Sequence, residues 1–262
     1  MQDQLCILRH TQNVNIVSFV EISLIMFVAT TFRTAFGFGE ALIAVPLLSL
    51  VWPVRLSAPL AVLASVVIAT VAIIKDWRHI HFSNAKKLLF STVFGLPFGL
   101  LLLRYAPEGQ IKAFLGALLF FFSLFSLFSP EFFVLPNDRF IWLFGFLAGI
   151  TGGSYGMNGP PLAIYGAARN WTPHQFRATI QAYFLPASFL GLIGYFASGI
   201  WTSETTALFG YSLPAITAGI FAGRFVNRRL HPKKFVRLLY GGLLLVACIL
   251  LIQSYSELSV SN

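Results

Sequence analysis

Long apolar runs alternate with short polar ones along the whole chain. Apolar stretches cover 16–36, 40–52, 57–74, 84–103, 110–128, 140–150, 160–168, 178–197, 205–223 and 235–252. A helix that crosses the hydrocarbon core of a bilayer needs about 20 residues, with a range of about 17–25. The stretches 57–74, 84–103, 110–128, 178–197, 205–223 and 235–252 meet that need individually. The other four form two pairs, each interrupted by glycine-rich chain. The first interruption is Phe36-Gly37-Phe38-Gly39-Glu40. The second runs Thr151-Gly152-Gly153-Ser154-Tyr155-Gly156-Met157-Asn158-Gly159-Pro160-Pro161. The first fifteen residues are polar, and no small-residue cleavage site follows the first apolar run, so no cleaved signal is expected.

The pattern repeats. The halves 16–128 and 140–252 have equal length, and each reads as one broken segment followed by three helices. Gly37-Phe38-Gly39 returns as Gly156-Met157-Asn158-Gly159, 119 residues further on. Gly95-x-x-x-Gly99 is matched by Gly219-x-x-x-Gly223, and Pro107 and Gly116 by Pro232 and Gly241. Small residues four apart let helix backbones approach closely in lipid. The expected fold is an all-α polytopic membrane protein of two repeats with 8 to 10 membrane segments, the number depending on whether each broken pair counts once or twice. Its parts are a polar tail at 1–15, repeats at 16–128 and 140–252, a linker at 129–139 and a C-terminal tail at 253–262.

Charge orients the repeats. If each broken segment returns to its own side, loops 75–87, 129–139, 169–177 and 224–237 share one face and hold 13 Lys and Arg. The opposite face then holds Arg9, Arg55, Arg104 and Lys112. If each broken segment crosses once, the split falls to 11 against 6. Cytoplasmic loops carry the excess of Lys and Arg, so the first arrangement is preferred. It makes the repeats inverted and puts both termini outside.

Composition narrows the function classes. Hydrophobic residues make up 57% and charged residues 10%, mean hydropathy is +0.78, and 28 Phe stand against 9 acidic side chains. A soluble domain has about 25% charged residues. The net charge of +9 sits between apolar runs and is no nucleic-acid signature. Cys6 and Cys248 are far apart and form neither a ligand cluster nor a disulfide pattern. His79 and His81 in a basic loop read as interfacial residues rather than a metal site. No P-loop, H-E-x-x-H or G-x-S-x-G in a strand–helix context is present. No cofactor and no enzyme activity are expected.

The chemistry is expected at the two breaks. Unwound backbone at membrane depth is tolerated where it lines a cavity or packs in protein, and paired interruptions in two halves point to a transport site. A helix beginning after a break offers free N–H groups and the positive end of its dipole, a ready anion site. Helices starting near Gly39 and Pro160 would aim those ends at a shared cavity. Pro160 and Pro161 suit a first helical turn, with Gly159 and Asn158 just before, Asn158 as cap or ligand contact. Ionisable residues within the apolar runs are Glu21, Arg33 and Glu40, and such residues are functional candidates. Arg33 either holds an anion by bidentate hydrogen bonds or pairs with Glu40 across the break. Glu40 is also a candidate carrier of a coupling proton, since desolvation favours the neutral acid. Glu21 reads as interfacial. Ser65, Thr70, Thr179, Gln181 and Tyr183 lie on helices able to face the breaks, Gln181 being notable because an amide among apolar residues needs a partner. The candidate substrate-binding set is Arg33, Gly37, Gly39, Glu40, Gly153, Tyr155, Asn158, Gly159 and Gln181.

Three segments carry a family likeness: the run from Phe36 through Pro46, the run from Gly152 through Tyr165, and Phe176-Arg-Ala-Thr-Ile-Gln-Ala-Tyr-Phe184. Together they resemble the TauE/SafE family of membrane permeases, the sulfite exporter family, over about 16–252. The resemblance implies a multi-pass inner-membrane transporter that moves small organosulfur or other oxyanions, usually outward. Glu40 stands where many members of that family carry another glycine, which points to a different substrate or to proton coupling. The expected function is a secondary transporter exporting sulfite, a sulfonate or a related oxyanion by alternating access at the two breaks. The alternatives are a passive anion channel, a membrane-embedded enzyme and a structural subunit. Expected partners are the small anion, coupling protons, the lipid bilayer and, as a candidate assembly, a second copy; nucleic acid is not expected.

Overall fold

Residues 16–76, 82–128, 135, 137–229 and 232–260 are described in the structure, a computed structural model. Ten α-helices and one short 3-10 turn, Asp138–Phe140, account for nearly all of them, and no strand occurs among them. The first half comprises α1 (Ile16–Phe36), α2 (Glu40–Ser49), α3 (Val54–Asp76), α4 (Phe82–Tyr105) and α5 (Glu108–Phe128). The second comprises α6 (Ile141–Tyr155), α7 (Gly159–Ala168), α8 (Pro173–Ala197), α9 (Ser203–Arg229) and α10 (Pro232–Val260). Six of the described helices contain apolar segments long enough to cross a membrane: α1, α3, α4, α5, α9 and α10. Within α8 the described apolar segment is the shorter Ala182–Ala197.

The helices stop for local reasons. Gly156 adopts φ 66°, closing α6 with two bonds: Gly156 N–H to the Gly152 carbonyl (2.8 Å) and Met157 N–H to the Thr151 carbonyl (3.1 Å). This is the left-handed C-terminal motif that glycine adopts without a Cβ penalty. At the other break Gly37 N–H returns to the Arg33 carbonyl at 2.6 Å, and Gly39 sits at φ 100° just before α2. Pro160 and Pro161 fall in the first turn of α7, where no intrahelical N–H partner is lost. A capping box starts α8. Gln175 N–H donates to Thr172 Oγ1 and Thr172 N–H to Gln175 Oε1.

Two boundaries differ from the apolar pattern. The second break is confined to 156–158, because α6 stays helical through Gly152 and Gly153 to Tyr155. Those two glycines remain helical where α6 is packed: a Cβ on Gly153 would lie 3.0 Å from the Leu100 nitrogen of α4. The expected tail at 253–262 is helical through Val260. Its polar residues pack on α5: Ser254 Oγ donates to the Gly109 carbonyl (2.7 Å) and Glu257 pairs with Lys112 (2.6 Å).

Packing exchanges partners between the halves. α4 lies along α6, and α9 along α1. Gly95 meets Phe146 and Gly149, and further on Gly99 meets Ile150, Gly153 and Ser154, so α4 and α6 run in the same direction. Gly219 meets Phe27 and Thr30, and Gly223 meets Thr31 and Thr34, so α9 and α1 also run together. The two small-xxx-small pairs thus form the matched close seams that their spacing predicts. α5 and α10 pair with opposite directions: Gly109 faces Leu258 and Gly116 faces Leu251. At the start of α3, Val54 N–H donates to Glu108 Oε1 (2.7 Å), while the Arg55 guanidinium caps the end of α4 through the Leu103, Arg104 and Ala106 carbonyls. Near the start of α6 and the end of α7, Leu135 N–H bonds the Ala168 carbonyl, and Arg169 holds both the Leu135 carbonyl and Asp138. The outer surface stays apolar, with Phe90, Phe94, Phe98, Phe121, Phe196 and Phe221 exposed, as suits helices solvated by lipid.

Candidate functional site

The two breaks face each other. A Cβ on Gly159, the first residue of α7, would sit 3.4 Å from the Phe38 ring in the first break. Phe38 in turn packs edge-on against Phe176 of α8. Two helices serve both breaks at once. On α3, Ser65 bonds Arg33, while Val62 lies against Gly156. On α8, the consecutive residues Tyr183 and Phe184 reach opposite breaks.

The first break is charged. Arg33 Nη1 donates to Glu40 Oε2 at 2.5 Å and to Ser65 Oγ at 2.6 Å. The Phe184 ring lies 4.8 Å from the guanidinium carbon, a cation–π contact. Arg33 is 6% exposed and Glu40 1%, so both charges are removed from water and compensate each other. Glu40 Oε1 is buried with no hydrogen-bond partner. Glu40 also begins α2 and so places a carboxylate at that helix's positive end. Phe32 covers Gly39 and packs against Phe36, closing the apolar surround.

The second break is neutral. Asn158 Nδ2 donates to the Tyr183 hydroxyl at 2.9 Å, and that hydroxyl lies 2.7 Å from Thr92 Oγ1. Thr92 reaches the Leu88 carbonyl (2.8 Å) and the Gly145 carbonyl (3.0 Å). The chain of bonds therefore ties the break to the α4–α6 seam. Tyr195 Oη donates to the Gly152 carbonyl at 3.1 Å. Asn158 precedes α7 but makes no capping bond, and the first turn of α7 holds no acidic residue.

The candidate residues divide accordingly. Arg33, Gly37, Gly39 and Glu40 stand at the first break, and Asn158 and Gly159 at the second. Gly153 lies in the seam with α4. Tyr155 turns to α5, where its hydroxyl donates to the Ile111 carbonyl at 2.9 Å. The side chain of Gln181 lies outside the described residues, as do His79, His81 and Cys6. Glu21 is exposed, consistent with an interfacial place. Thr70 bonds its own helix at the Val66 carbonyl. Phe184 and Thr92 carry no sequence signal of their own: one is an aromatic and the other a hydroxyl inside an apolar helix. Among the described residues, no group of three or more His, Cys, Asp or Glu is placed to hold a metal ion.

The family model described as sulfite exporter TauE/SafE matches residues 22–251. Comparisons with curated proteins and with solved structures find no significant match. The match spans both breaks and most of both halves, and the chain belongs to that family of membrane permeases.

Proposed function

With membership of the sulfite exporter TauE/SafE family as the premise, we propose that this chain is a secondary transporter of the inner membrane. It exports a small oxyanion, such as sulfite, a sulfonate or a related organosulfur anion. The observation that carries this reading is the meeting of two helix breaks at one buried place. That place offers a guanidinium on one side and, on the other, the start of α7, a helix with no acid in its first turn. Asn158, held by Tyr183, and the α7 start form one wall; Arg33, Ser65 and Glu40 form the other.

Alternating access follows from an inverted arrangement of the halves. Support comes from the helix directions. α2 leads back to the end where α3 starts beside Glu108, and that end holds Arg55, Arg104 and Lys112. The end of α7 returns to the start of α6 at Asp138 and Arg169, the end where the more basic loops gather. Each broken pair thus enters and leaves on its own side. The exchanged seams, α4 on α6 and α9 on α1, let each half carry part of the other. An ion pair inside the site favours a coupled carrier over a passive channel, because its charges must be rearranged when an anion binds.

The test is flux in proteoliposomes for sulfite, sulfate, sulfoacetate, taurine and acetate, with and without a pH gradient. Saturable flux of a sulfur oxyanion that is lost in Asn158→Ala is the expected result. A folded protein that moves none of the panel contradicts the substrate assignment.

A further inference from the structure

Arg33 and Glu40 bring one positive and one negative charge to a place closed to water, and the pair sums to zero. Phe184 covers the guanidinium, and Phe32 and Phe36 pack beside the break. An anion that joins this pair unaccompanied leaves a net negative charge in apolar surroundings, where an unpaired charge is strongly disfavoured. The site already holds the means of correction: Glu40 has one oxygen on Arg33 and the other, Oε1, buried with no partner.

Resting on the anion-site reading above, we propose that the site takes a monovalent oxyanion together with one proton, which Glu40 carries on its carboxyl. The proton comes from the same aqueous phase as the anion. The carboxylate becomes a neutral acid, and Arg33 turns its charge from Glu40 to the anion. The guanidinium has five N–H donors, and the bonds to Glu40 and Ser65 use only Nη1, so the fork can receive an oxyanion without leaving Ser65. The occupied site again sums to zero. A dianion with the same single proton does not balance, and the site discriminates against it. Sulfonates, carboxylates and hydrogensulfite fit this class; sulfate does not.

Among the residues whose side chains are described, the other charged groups on elements packed against α2 lie away from Glu40. On α1, Glu21 is exposed. On α3, Arg55 is bound to the α4 carbonyls. On α5 and α10, Glu108 accepts from Val54 N–H, and Lys112 pairs with Glu257. Among the described residues, Arg33 is the charged group that touches Glu40.

The experiment is calorimetric binding of methanesulfonate, acetate and sulfate to the purified full chain, in buffers of different ionisation enthalpy. Wild-type protein is expected to take up one proton per methanesulfonate or acetate. Affinity for these anions should tighten about tenfold per unit fall in pH while Glu40 is ionised in the free protein, as one-proton linkage requires. Glu40→Gln is expected to bind the same anions with no proton uptake and no dependence on pH. If Glu40→Gln fails to fold, the proton count and pH dependence of wild-type binding still decide the proposal. Binding to wild type with no proton uptake overturns the proposal and leaves the anion site standing. Sulfate bound as tightly as methanesulfonate with one proton also overturns it. No binding of any of the three anions by folded wild type removes both the proposal and the anion-site reading beneath it.

Discussion

The two breaks occupy matched places in the two halves yet are built from opposite chemistry. At the first, the turn between α1 and α2 is bridged by Arg33 and Glu40, an ion pair buried to within a few per cent of full exclusion. At the second, the turn between α6 and α7 is bridged by neutral hydrogen bonds, from Asn158 through Tyr183 to Thr92. A buried ion pair is poised: its attraction roughly repays its desolvation, and a small change in charge alters the balance. A satisfied neutral network has no such lever and fixes geometry instead. Both helix seams are close backbone approaches, Gly99 to the Ile150 carbonyl and Gly223 to the Thr31 carbonyl, but the α1–α9 seam also buries the Thr30, Thr31 and Thr34 hydroxyls without a hydrogen-bond partner. At the breaks themselves, one side carries a buried ion pair and the other neutral hydrogen bonds.

The largest effect should come from dividing the ion pair. Arg33→Met leaves Glu40 buried without its cation and should cost about 3–5 kcal/mol, read as a fall in thermal unfolding temperature in detergent. Adding Glu40→Leu should recover most of that loss; a double variant no more stable than the single shows that the two charges are not energetically coupled. Next in size is the α4–α6 seam. Gly99→Ala puts a Cβ 2.7 Å from the Ser154 nitrogen and should cost about 1–3 kcal/mol by overpacking. Gly210→Ala, which meets nothing within 4 Å, is its control on the same melting assay. Tyr183→Phe removes the hydroxyl shared by Asn158 and Thr92. It should cost up to about 2 kcal/mol through the unsatisfied amide and slow anion flux while leaving the proton count per anion unchanged. A changed proton count would mean that the two walls are not separable. The smallest effect is expected away from both breaks. Thr172→Ala removes the cap of α8, worth about 1 kcal/mol, and should lower the melting temperature without altering anion binding.

Much of this molecule is legible in its sequence. The apolar runs locate the ten described helices, because a bilayer leaves no backbone polar group unpaired and demands continuous helix. The interruptions locate both breaks, since Gly37, Gly39 and Gly156 take positive φ that other residues adopt at a cost. Arg33 and Glu40 stand out as the ionisable residues deep in an apolar segment. The glycine pairs at 95/99 and 219/223 mark close seams. Where the pattern misplaces a boundary, tertiary packing is the cause. Gly152 and Gly153 look like part of a loop and remain helical along α4, and 253–260 looks like a tail and remains helical on α5.

Partnership was decided only in three dimensions. Nothing in the run of residues says that Arg33 satisfies Glu40 and Ser65 together, since Ser65 is 32 residues away on another helix. Nor does it say that adjacent residues of α8, Tyr183 and Phe184, divide between the two breaks, or that Tyr155 turns away to Ile111. Periodicity and glycine spacing report what each segment requires of its surroundings: lipid, a close neighbour, a partner for a charge. Which segment meets that requirement depends on how helices far apart in the chain pack. The sequence by itself therefore determined the helices, the breaks and the charges at one of them, and the tertiary structure decided which residues partner those charges and that the two breaks face each other.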